Sequence, residues 1–61
     1  MTCYTRIDLD AYAHREAADM RKETGQSAKV QYWYIMIGDN QCSLAVVIRT
    51  PTGAQTRYIA I

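Results

Sequence analysis

With 61 residues the chain has room for one domain, and a domain of this size buries only about 60% of the surface that its unfolded chain exposes. Seven lysines and arginines stand against six aspartates and glutamates, which excludes both the basic excess of non-specific nucleic-acid binders and the acidic excess of DNA mimics. No apolar run approaches the roughly 18 residues of a membrane span and no signal peptide opens the chain, so a cytoplasmic product is expected.

Thr2 to Ile7 alternates weakly, with Cys3, Thr5 and Ile7 against Tyr4 and Arg6, and offers either a short N-terminal edge strand or an extended lead-in. A helix is predicted over residues 9 to 24. Asp8 or Asp10 can cap its start, because a short carboxylate accepts hydrogen bonds from the free first-turn amides and favours the positive dipole end. Four alanines with Arg, Glu, Lys and Met supply helix propensity, and Gly25 supplies a left-handed stop. At about 100° per residue Leu9, Ala13, Ala17 and Met20 share one stripe, narrow and small enough for close packing. Glu16 lies at its edge and needs a partner if buried.

After a polar connection over Gln26 to Lys29 come three strands. Val30 to Ile37 is dense in β-branched and aromatic residues, and Gly38 to Gln41 reads as a hairpin turn whose Asp39 and Asn40 tolerate positive φ. Cys42 to Thr50 is the second strand. Pro51 to Gly53 suits a three-residue loop with Gly53 left-handed, and Gln55 to Ile61 is the third strand. The expected fold is α+β, one domain over 1–61, with an N-terminal helix on a three-stranded antiparallel meander (αβββ).

Turn geometry sorts the side chains. A loop at Asp39 and Asn40 places Ile37 opposite Cys42, Ile35 opposite Leu44 and Trp33 opposite Val46. A loop at Pro51 to Gly53 places Ile48 opposite Thr56 and Val46 opposite Tyr58. The core face then carries Trp33, Ile35, Ile37, Cys42, Leu44, Val46, Ile48 and Tyr58. The other face carries Val30, Tyr32, Tyr34, Met36, Ala45, Val47, Arg49, Arg57, Ile59 and Ile61. One helix covers one face, so the second is left as a mixed apolar patch of a size that monomers rarely expose. Tyrosine and arginine are favoured at interface centres because each joins broad contact area to a polar tip. Tyr32, Tyr34, Met36, Val47, Arg49, Arg57 and Ile59 are therefore the candidate binding residues.

Other features have simpler readings. His14 sits off the apolar stripe, four residues after Asp10, and a surface hydrogen bond accounts for it. Asp8 and Asp10 are explained by capping rather than by acid–base chemistry. The Gly38-Asp39-Asn40 turn lacks the ligand count of a calcium loop. Two cysteines, Cys3 and Cys42, are too few for a disulfide framework and lack zinc-site spacing; read as free thiols, they fit a reducing compartment. No metal, cofactor or catalytic constellation is expected.

The sequence thus points to a non-enzymatic accessory or inhibitory factor, of the kind phages and mobile elements encode, acting through the Tyr/Arg face as a homodimer or on a protein partner. The alternative is a nucleic-acid-binding module on the same face, with tyrosines stacking on unpaired bases and Lys29, Arg49 and Arg57 on phosphates. An RNA recognition motif, however, needs a second helix and aromatic-rich signatures that this chain lacks.

Overall fold

A computed structural model describes residues 8–61; the expected N-terminal strand at residues 2–7 lies outside the described residues. The described residues form one helix, α1 (Leu9–Thr24), and three strands, β1 (Lys29–Ile37), β2 (Cys42–Thr50) and β3 (Gly53–Ala60). The strands form an antiparallel sheet in the order β1-β2-β3, so the αβββ expectation holds.

Local chemistry accounts for each boundary of α1. Asp8 is the N-cap: its Oδ1 accepts from the Asp10 and Ala11 amides at 3.1 and 3.3 Å. At the other end Gly25 takes φ 69°, and its amide donates to the Arg21 carbonyl at 2.8 Å. The predicted stripe is the buried one. Ala13, Ala17 and Met20 are buried, with Leu9 packed partly against them. The alanines let α1 lie close to Leu44, Val46 and Ile48 of β2, all fully buried. Polar contacts fix its position, two of them on and just before β1. Trp33 Nε1 donates to Asp10 Oδ1 at 3.2 Å, and Arg21 Nη1 donates to the Ala28 carbonyl at 2.7 Å. His14 Nδ1 lies 2.8 Å from the Asp10 carbonyl, the surface contact expected of it.

The β1–β2 register is the predicted one from Tyr32 to the turn, with Trp33 opposite Val46 and Ile37 opposite Cys42. Gly38 donates to the Gln41 carbonyl at 2.8 Å to close the loop. Neither Asp39 nor Asn40 adopts positive φ, contrary to the expectation for this turn. A bulge between Val30 and Tyr32 is a second difference: the extra residue, Gln31, returns Val30 to the helix side, where it packs against the core.

The third strand departs from the expected register. Thr50 pairs with Gly53, so the loop is Pro51-Thr52 rather than Pro51 to Gly53. The Thr50 hydroxyl organises it, donating to the Gly53 carbonyl at 2.7 Å and accepting from the Thr52 amide at 3.3 Å. Gly53 takes φ 127° as the first residue of β3. One residue fewer in the loop moves every β3 side chain to the opposite face. Arg57 and Ile59, expected on the open face, lie on the helix side, and so does Ile61. Tyr58, expected in the core, lies on the open face opposite Ala45.

Cys42 is buried, as expected, but it is disulfide-bonded, so it is not the free thiol read from the sequence. The case for a reducing compartment accordingly loses its basis. No helix among the described residues is long and apolar enough to cross a membrane.

Candidate functional site

The face of the sheet turned away from α1 is built from alternate residues of all three strands. Its rows, read across β1, β2 and β3, are Lys29–Arg49–Ala54, Tyr32–Val47–Thr56, Tyr34–Ala45–Tyr58 and Met36–Ser43–Ala60. Large residues thus line β1 and recur on β3 at Tyr58, with the small Ala45 and Val47 on the central strand between them. Tyr32 (53% exposed), Tyr34 (41%), Met36 (46%) and Tyr58 (62%) rise as walls, whereas Ala45 is fully buried and Val47 nearly so, although no helix covers them. The result is a shallow trough with an aliphatic floor and tyrosine sides.

The tyrosines interact with one another. Tyr32 and Tyr34, two residues apart on one face of β1, stack with ring centroids 6.2 Å apart and planes at 27°. Loss of solvent around Tyr34 holds its phenol above the ordinary tyrosine range, and the hydroxyls of Tyr58 and Tyr32 beside it act in the same direction. The Tyr32–Tyr34 stack restricts both rings, and side-chain freedom already lost lowers the entropy cost of using them as a contact surface.

Charge is distributed unevenly between the faces. Of the six carboxylates, Asp8, Asp10, Glu16, Asp19 and Glu23 belong to α1 or its cap, which leaves Asp39 in the first turn. Among the described residues the open face carries no carboxylate on its strands, and Lys29 and Arg49 stand directly opposite each other at one end. Like charges in that position repel, and neither forms an ion pair among the described residues.

Of the seven residues proposed from sequence, Tyr32, Tyr34, Met36, Val47 and Arg49 share the open face. Ile59 packs against the core. Arg57 serves the opposite side of the sheet: its Nη2 and Nη1 donate to the two oxygens of Glu23, the latter bond at 3.4 Å, and Nη1 lies 3.8 Å from Glu16 Oε1. Arg57 is therefore the partner that Glu16 required. Sequence reasoning missed Tyr58, which the two-residue loop brings beside Tyr34.

The guanidinium of Arg57, by hydrogen bond first and charge second, holds the Glu23 carboxyl below its ordinary range. A carboxyl with a lowered folded-state pKa adds stability above its unfolded pKa and loses it as pH falls through the folded one. The urea midpoint should thus fall between about pH 7 and about pH 3, and Glu23→Gln should lower the pH 7 midpoint and flatten that acid limb. An unchanged pH dependence would show that the pair carries no stability.

Among the described residues no group of three or more His, Cys, Asp or Glu is placed to hold a metal ion. A shallow depression beside the start of α1 is lined by Asp8, Ala11, Tyr12 and Arg15, with no nucleophile and base in contact. Comparison of the chain with protein-family models, with curated proteins and with solved structures gave no match.

Proposed function

We propose that the protein is a small non-enzymatic binding factor whose working surface is the open sheet face, acting as an accessory or inhibitory factor of the kind phages and mobile elements encode. The observation that carries this reading is the trough itself: Tyr32, Tyr34, Met36 and Tyr58 stay exposed around a floor of Ala45 and Val47. Tyrosine offers a large contact area with only two side-chain torsions to immobilise, and an aromatic centre is what protein interfaces favour. The near-neutral net charge and the stacked tyrosines suit a protein surface, whether a second copy or another chain, better than a phosphate backbone.

The nucleic-acid alternative is weakened by the register of β3. Of the three cations it relied on, Arg57 is engaged with α1 and only Lys29 and Arg49 remain on the open face. Its mark would be affinity for a single-stranded oligonucleotide that falls steeply with salt.

Tyr34→Asp tests the main reading. A carboxylate at the centre of the trough should abolish self-association or partner binding while far-UV circular dichroism stays unchanged. Undiminished association in that variant would remove the open face as the working surface.

A further inference from the structure

We infer that the occupant of the open face is a second copy of this chain, packed face to face about a two-fold axis that runs across the strands. The inference rests on the reading of that face as the association surface and adds the partner and its orientation.

Size comes first. Three strands about 4.8 Å apart and eight residues long at about 3.3 Å each give a face of about 380 Å², so two copies bury on the order of 800–1,000 Å² with side-chain relief. That lies below the standard size of a specific interface, among the weak and transient ones, so the dimer is not an obligate one. A second copy presents a face of equal size, with its tyrosine walls at the same height to meet those of the first.

Charge then selects the orientation. Two sheets facing each other can be related by a two-fold axis in the plane between them, running either along the strands or across them. An axis along the strands sets Lys29 and Arg49 of one copy against the same pair of the other, four cations with no carboxylate beside them on the face. Like-charge juxtaposition of that kind is what interfaces avoid. An axis across the strands reverses one copy end for end. The Lys29–Arg49 row of each sheet then faces the Met36–Ser43 row of the other, next to the β1–β2 turn that holds Asp39, the one side-chain carboxylate outside α1 and its cap. Ala45 and Val46 lie midway along β2, so the row Tyr34–Ala45–Tyr58 falls beside the axis and the tyrosines of the two copies meet at the centre. A cationic end set beside the Asp39 turn, with an aromatic centre between, pairs unlike ends of the two copies, as an isologous contact demands.

In this dimer both copies of α1 point outward, so a further partner meets the helices or the sheet edges. Glu23 and Glu16 remain on the outer side with Arg57, and take no part in the contact.

The test is sedimentation equilibrium of the full chain from about 10 μM to about 1 mM, with and without reductant, on wild type, Arg49→Glu, Asp39→Lys, their double variant and Tyr34→Asp. Wild type should rise from 7.0 kDa toward twice that mass under both conditions. Each single charge reversal should weaken the dimer on the order of ten-fold, and the double variant should recover most of the loss, because unlike charges again lie beside each other. An association strengthened by Arg49→Glu, or no recovery in the double variant, overturns the crosswise axis. Monomer at every concentration overturns the second copy as occupant and leaves the face to another protein. A dimer indifferent to Tyr34→Asp instead removes the reading of the face on which the inference rests.

Discussion

Ile48→Ala is expected to leave the protein largely unfolded at room temperature. Ile48 is fully buried on the helix side of the central strand, in one cluster with Ala13, Ala17, Met20, Leu44 and Val46. Removing three carbons there forfeits their transfer free energy and leaves a cavity, together about 2–5 kcal/mol. At about 0.05–0.15 kcal/mol per residue, a domain of 61 residues has on the order of 3–9 kcal/mol in total. The loss is therefore comparable to the whole. Urea denaturation followed by Trp33 fluorescence should show the midpoint collapse, whereas Val47→Ala, on the floor of the open trough, should cost distinctly less. Equal losses at the two positions would mean that both faces are equally packed, against the one-sided core described above.

Ala17→Leu should destabilise for the opposite reason. Ala17 is 1% exposed where α1 meets the sheet, and the small stripe is what allows the close approach. Leucine is nearly as good a helix former, so propensity does not account for any loss. The added carbons must push α1 away from β2 or force strained rotamers, at about 1–3 kcal/mol. The same change at Ala11, exposed on the outer side of α1, should leave the midpoint within about 0.5 kcal/mol. A neutral Ala17→Leu would indicate a loose helix–sheet interface.

These two positions also show what was legible in the sequence. The helix, both caps and its buried stripe follow from short-range chemistry: a carboxylate before the first turn, a glycine after the last, small residues at helical spacing. The first hairpin was legible because Trp33, Ile35, Leu44, Val46 and Ile48 need one common side, and only one loop length provides it. The last strand offers no such vote. Ala54, Thr56, Tyr58 and Ala60 make one alternate set, Gln55, Arg57, Ile59 and Ile61 the other, and each mixes polar with apolar residues. Hydrophobic alternation cannot choose between them, so the choice falls to the Thr50–Gly53 turn, where a two- and a three-residue loop are both sound.

One signal could have decided it. Glu16 and Glu23 are seven residues apart, two helical turns, and hence on one side of α1. A buried-edge glutamate needs a cation across the interface, and Arg57 supplies it only if β3 is shifted by one residue. The bulge at Gln31 and the disulfide of Cys42 left no comparable trace. Nothing in the alternation near Val30 marks an extra residue, and the sequence around Cys42 carries no spacing signature.

The register of β3 changes the chemistry of the candidate surface more than its extent. Arg57 leaves and Tyr58 arrives, so a face read as tyrosine with two arginines is a tyrosine trough with its cations gathered at one end. That asymmetry is what gives the face a direction.

Whether two copies of this protein associate through the open sheet face is decided by following backbone amide shifts by NMR as the protein is concentrated from about 10 μM to about 1 mM. Progressive shifts are expected at Tyr32, Tyr34, Ala45, Val47, Arg49 and Tyr58, with the outer residues of α1 unmoved. Shifts confined to α1, or a spectrum that does not change over that range, would contradict that association.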